Sequence, residues 1–292
     1  MDVRTVLAYA AMCGIWGTTW LAIKVGLQGL PPITGAGVRF VVAGVFLAVL
    51  RHAIPGERGT KAPWPTIAIL AATLFGGNYA LTYYAETGLA SGLVAVLFGT
   101  LPFWVFAIDA VLLGERVSLT VLLGAVLALA GVTAISIGSD LHASLPFVFA
   151  TLGAAAVSAY ANVTLKHHAA TDPFRTLPPA MLIAGAVMTL FGVIFEHPDW
   201  SRGTRPDSIG AILYLAILGS GIAFVLNHWL LQRLPTWVVG FSALIIPVLA
   251  VTVGALLGGE AFGPKELIGA ALVIAGVWLA LRTPQPALET HA

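Results

Sequence analysis

The chain has 292 residues, of which 59% are hydrophobic and 9% charged. Soluble domains carry about 25% charged residues, so the composition argues against a water-soluble globular protein and for one embedded in a membrane. Fourteen Lys and Arg against thirteen Asp and Glu leave a net charge of +1, which argues against nucleic acid as a partner.

Apolar runs broken by charged, Pro-rich or Gly-rich punctuation predict ten spans, at about 5–25, 33–50, 64–85, 91–113, 118–138, 145–165, 176–195, 208–231, 236–257 and 264–282, at roughly 20 residues per crossing. The runs are continuous and do not alternate, so they read as helices and not as barrel strands. The first begins after only four residues and is too long for a signal-peptide core. It holds Trp16, Trp20 and Lys24 on one side, and the single cysteine, Cys13, which reads as a packing residue without disulfide or metal partners.

The second span carries Arg39, about 9 Å below its outer end at 1.5 Å per residue. Glu86, at the outer end of the third span, is its expected partner. In the third span Asn78, Thr82 and Glu86 share a helical face, with Tyr79 and Tyr83 beside it. The fourth contains Pro102, Trp104 and, near its inner end, Asp109, within reach of headgroup water or an inner basic residue. The sixth places Ser158, Asn162 and Lys166 on one face, and the eighth Ser220, Phe224 and His228, with Asn227 beside them. The ninth holds Ser242 and Pro247. Glu115 and Glu260 precede the fifth and tenth spans and are expected to cap them, where free amides and the helix dipole favour a carboxylate.

The longest loops, 51–63 and 196–207, are too short for a nucleotide-binding domain, and no GxxxxGK[ST] occurs, so the chain is not a self-contained ATP-driven pump. With the N-terminus inside, inner segments carry nine basic residues (Arg4, Arg51, Arg58, Lys61, Arg116, Lys166, Arg175, Arg233 and Arg282), and outer segments carry four (Lys24, Arg202, Arg205 and Lys265). That asymmetry places both termini in the cytoplasm.

The halves of the chain match each other. A shift of 145 residues lays Leu113–Val132 on Gly258–Val277, with Glu115 on Glu260, Gly124 on Gly269 and Gly131 on Gly276. The same shift superposes Pro102 on Pro247 and Gly76 on Gly221, and a shift of 142 superposes Lys24 on Lys166 and Pro31 on Pro173. Five spans per unit is an odd number, so residues 1–139 and 140–292 are expected to be two units of opposite orientation, the duplication many secondary transporters use.

The segment Trp16–Trp20 (WGTTW), Arg39 in the second helix and the Gly-Glu that opens the last helix of each half resemble the EamA-type transporters of the drug/metabolite transporter superfamily. Within it the chain is most similar to the bacterial amino-acid exporters of the YddG type. The resemblance covers nearly the whole chain and implies an all-α basket of ten helices around a central cavity in the bacterial inner membrane.

Aromatic and amide groups on facing stripes suit a mixed cavity. The expected substrate-binding residues are Trp16, Trp20, Asn78, Tyr79, Tyr83, Trp104, Ser158, Asn162, His228 and Ser242, the last of these and Trp104 because they lie near the helix prolines. Interfacial anchoring competes for Tyr83 and His228, and interhelical hydrogen bonding worth about 1 kcal/mol each competes for Asn78 and Asn162. Pro102 and Pro247 are expected gating positions, with a static kink as the competing reading.

The expected function is export of small metabolites, most of all amino acids, by alternating access, with membrane lipid as surroundings and no cofactor, metal, nucleic acid or ATPase domain. A multidrug, sugar or nucleoside efflux carrier and a passive channel-like facilitator are the alternatives. Cation efflux in related small exporters needs a carboxylate in the first helix, and this span has none. An enzyme would need clustered His, Asp or Glu at one depth, which the spans lack.

Overall fold

The structure, a computed structural model, describes residues 2–53, 59–113, 118–136, 141–168, 170–234, 239 and 242–282. Among these the regular structure is helical throughout: α1 (Val3–Gly26), α2 (Pro32–Ala53), α3 (Trp64–Leu70, continuing through Ala71–Gly77 and Asn78–Gly88), α4 (Ser91–Phe98), α5 (Leu101–Leu113) and α6 (Leu119–Ser136). There follow α7 (Leu141–His167), α8 (Pro173–Phe195), the short α9 (Trp200–Gly203), α10 (Pro206–Leu231), α11 (Ser242–Leu257) and α12 (Pro264–Leu281). Helices satisfy every backbone group within one segment, which hydrocarbon surroundings demand. Among the described residues six segments are long and apolar enough to cross a membrane: Val3–Gly26, Pro32–Ala53, Ser91–Ile108, Ser144–His167, Pro173–Phe195 and Pro206–Leu231. Their outward faces stay apolar, as on α8, where Val187, Leu190 and Phe195 are exposed. Such faces are suited to lipid.

The expected fourth span is not one uninterrupted helix. Gly99 and Thr100 form a turn between α4 and α5, and Pro102 lies just beyond it, at a position where a missing N–H is tolerated. The start of the expected ninth span, at residues 236–238, 240 and 241, lies outside the described residues, as do Glu115 and the side chain of Asp109.

Two helix pairs pack with backbones almost in contact. In α2·α8 a Cβ added to Gly37 would lie 2.5 Å from Thr189 N, and one added to Gly185 would lie 2.6 Å from Val41 N. In α6·α12 a Cβ on Gly124 would lie 2.5 Å from Gly276 O, and one on Gly131 2.5 Å from Gly269 O. Small residues at such crossings let dispersion contacts replace the hydrophobic drive that lipid removes.

The loops gather at two faces. At the face bearing the N-terminus, Asp172 N donates to Thr60 O (2.8 Å) and His228 Nε2 meets Thr171 O (2.7 Å). Asp2 opens α1 there by accepting from Thr5 N at 2.8 Å, and hydrogen bonding from Thr5 holds its carboxyl below the usual range. At the opposite face two carboxylates cap helices remote in sequence. Glu196 accepts from Ile33 N (2.9 Å), Thr34 N (2.8 Å) and Thr34 Oγ1 (2.7 Å), closing the start of α2. Glu260 accepts from Ser91 N (2.7 Å) and Gly92 N (3.2 Å), closing the start of α4. This corrects the expectation that Glu260 caps its own helix. Gly263 occupies the N-cap of α12 with no side-chain hydrogen bond, followed by Pro264, which has no N–H to satisfy.

Candidate functional site

The middle of α3 and the middle of α10 each widen into a π-helical stretch, Ala71–Gly77 and Leu215–Ile222. Such turns recur at functional sites because they interrupt the regular ladder. Here the two converge. Phe75 from the first packs against Phe224, just past the second, with ring centroids 5.2 Å apart. Phe40 of α2 closes on Phe75 at 5.2 Å and on Tyr79 at 4.8 Å. Trp16 of α1 stands edge-on to Phe224 at 5.5 Å and donates Nε1 to Gly219 O at 3.3 Å.

Into this aromatic shell α2 sends Arg39, which is 1% exposed. Its Nε donates to Ser220 Oγ at 2.8 Å and its Nη1 to Tyr83 OH at 3.5 Å. Its guanidinium carbon lies 4.6 Å from the Tyr79 ring centroid and 5.4 Å from that of Phe40. Gly219 makes the approach possible, since a Cβ there would lie 3.3 Å from Arg39 Nη2 and 2.7 Å from Thr19 Cγ2. Hydroxyl dipoles and ring faces solvate the cation without neutralising it.

The expected Arg39–Glu86 pair does not form. Glu86 lies beyond Tyr83 toward the opposite face, while the hydroxyls and rings at the level of Tyr79 and Tyr83 hold the guanidinium deeper. Glu86 is fully buried and neither carboxyl oxygen has a hydrogen-bond partner. Lys24 Nζ instead donates to the backbone carbonyls of Glu86 (2.8 Å) and Leu89 (2.7 Å), tying α1 to the C-terminal end of α3.

Of the expected site residues, Trp16, Tyr79 and Tyr83 belong to the Arg39 shell. The others lie outside the contacts that form it. Trp20 packs on Phe98 at 5.5 Å. Asn78 Nδ2 donates to Leu74 O (3.1 Å) and Asn162 Nδ2 to Ser158 O (2.8 Å), so each amide bonds one turn back along its own helix. Ser158 is buried beside Asn162, Trp104 is exposed, and Ser242 is half-buried at the start of α11. His228 is buried at the N-terminal face, two turns from Ser220. Pro247 reaches the α4–α5 turn, where a Cβ on Gly99 would lie 3.3 Å from its Cγ.

Sequence reasoning passed over Phe40 and Phe75, which read as two more apolar residues in apolar spans. The available signal was glycine: the Gly76–Gly77 and Gly219–Gly221 stretches mark the widened turns. Among the described residues no group of three His, Cys, Asp or Glu is placed to hold a metal. A buried guanidinium framed by hydroxyls and aromatic rings suits recognition of a carboxylate, which the planar fork can bind through two parallel hydrogen bonds.

Comparison with known proteins agrees with a membrane transporter. The chain is 27% identical, over 91% of its length and 90% of the relative's, to a probable amino-acid metabolite efflux pump of Salmonella typhimurium. It is 29% identical, over 94% of its length and 93% of the relative's, to a probable terminal-alkyne amino-acid exporter of Streptantibioticus cattleyicolor. It is 28% identical, over 93% and 89%, to the uncharacterized inner membrane transporter YedA of Escherichia coli. Its fold matches a crystal structure with a TM-score of 0.70, covering 96% of this chain and 97% of that one at 21% identity. The model of the EamA-like transporter family matches twice, at residues 4–137 and 145–282. With nearly the whole helical chain accounted for by those two matches, this protein is a transporter and not an enzyme, and it belongs to the EamA-like transporter family.

Proposed function

We propose that the protein is a secondary carrier of the bacterial inner membrane that exports small metabolites, amino acids above all, by alternating access. Residues 1–139 and 140–292 act in this reading as two inverted five-helix units around a central cavity, with both termini cytoplasmic. Two observations support that symmetry. The π stretch Ala71–Gly77 shifted by 145 residues falls within Leu215–Ile222. The matched glycines of α6 and α12 also pack reciprocally, Gly124 near Gly276 O and Gly131 near Gly269 O. Two relatives named for amino-acid export and one named as an inner-membrane transporter support the substrate class and location.

The observation that carries the substrate is Arg39, a buried cation held by two hydroxyls and two aromatic faces, with no carboxylate paired to it among the described residues. An amino-acid carboxylate supplies the missing charge. Trp16, Tyr79 and Tyr83 pack around the side chain, and Trp20, Asn78, Trp104, Ser158, Asn162, His228 and Ser242 are the proposed walls of the wider cavity. Pro102 and Pro247 are the proposed gating positions.

The test is competition in proteoliposomes. Uptake of a labelled neutral amino acid is challenged with the unlabelled amino acid or with its carboxamide. A charge-assisted hydrogen bond contributes about 1.5–3 kcal/mol, so the carboxamide competes about 10- to 100-fold more weakly. In Arg39→Gln that discrimination disappears. Equal competition by both compounds in the wild-type protein contradicts carboxylate recognition.

A further inference from the structure

A recess of about 280 Å³ opens where the ends of α2, α3 and α8 meet at the N-terminal face, apart from the Arg39 shell. Arg51, His52, Lys61 and Arg175 line it, together with Trp64 and Phe174, and with no acidic side chain among the described residues. Arg51 Nε is buried with no hydrogen-bond partner. Lys61 Nζ stands 3.8 Å from the Trp64 ring centroid, and Arg175 Nη1 donates to Gly59 O at 2.8 Å, so both cations are positioned by the protein, and neither forms an ion pair among the described residues.

We propose that this recess binds a phosphate ester, and that the ester is the headgroup of an anionic membrane phospholipid. Four basic side chains around one opening match a phosphate, and an orphaned guanidinium N–H supplies a donor that nothing else satisfies. The surroundings distinguish a lipid from free phosphate. Exposed apolar stripes run from the recess toward the middle of the protein, Val49 and Val45 along α2 and Ile183 and Val187 along α8. With phosphate in the recess, acyl chains lie along those stripes. Trp64 is 59% exposed at the rim, at the depth where an indole favours the interface.

The experiment is native mass spectrometry of the delipidated full-length protein with added dioleoylphosphatidylglycerol, dioleoylphosphatidylcholine or inorganic phosphate. One phosphatidylglycerol is retained at least about fivefold better than phosphatidylcholine, and Arg51→Gln and Lys61→Gln each lower its retention about fivefold, in line with the attraction per basic residue near a membrane surface. Lys61→Gln removes a half-buried rim side chain and guards against misfolding of the Arg51 variant. Arg233→Gln, which removes a cation outside the recess, leaves retention unchanged. Equal retention of the two lipids, or equal losses in the Arg233 and recess variants, overturns the site. Displacement of the lipid by millimolar inorganic phosphate overturns the lipid assignment.

Discussion

Glu260 shows how far one carboxylate reaches in this protein. It crosses 169 residues of chain to accept from the first free amides of α4, and the path is open only because Gly254 lacks a side chain. A Cβ at Gly254 would lie 2.4 Å from Glu260 Oε2. Glu196 makes the matching connection to α2, so both starts are closed by carboxylates from the second half of the chain. Capping and the dipole together predict that Glu260→Gln destabilises the protein by about 1 kcal/mol, read as a lowered melting temperature in detergent. An unchanged melting temperature argues that the carboxylate charge contributes nothing at this cap. The Gly-Glu pair announced a helix cap correctly. Which helix it serves was not written locally, because the free amides nearest in space belong to another helix. Arg39 failed as a sequence inference for a related reason: Glu86 was its most obvious ionic partner, yet hydroxyls and rings at its own depth won.

Among the elements, the long helices were legible because continuous apolar runs longer than a crossing have few other uses, and the predicted ends fall within a few residues of α1, α2, α8 and α12. The π stretches and the Gly99–Thr100 turn were not, because hydropathy is blind to one extra residue in a turn. Those irregularities occupy the proposed functional parts. The two π stretches bring Phe75 to Phe40 and Ser220 to Arg39, and the turn gives Pro247 a glycine to rest against. An internal proline removes one helical hydrogen bond and crowds the preceding turn, so α11 bends more easily at Pro247. In the proposed gating, movement of α11 there passes to the α4–α5 turn through the close approach of Pro247 to Gly99. Pro247→Ala therefore yields a folded, substrate-binding protein with severalfold slower turnover in proteoliposomes. A normal rate in a well-folded Pro247→Ala protein means that the proline only shapes the bundle.

At the scale of the whole molecule, the repeat was visible in the sequence through residues that apolar composition does not demand: a colinear Gly-Glu, a mid-span proline and spaced glycines. Two matches to one family model fall on the same halves. What the sequence left open was the arrangement of polar groups inside, because Asn78 and Asn162 look like cavity residues by type and spend their hydrogen bonds on their own helices. In the proposed mechanism a buried cation that is solvated, but paired with no carboxylate among the described residues, holds a transient anion that is released when the other face opens. That account requires a carrier and not a pore. Counterflow in proteoliposomes preloaded with an unlabelled amino acid tests it most directly. A carrier accumulates external labelled tracer transiently above its equilibrium level, with a saturable initial rate, and the overshoot is lost in Arg39→Gln. A monotonic approach to equilibrium with no overshoot and no saturation would contradict it.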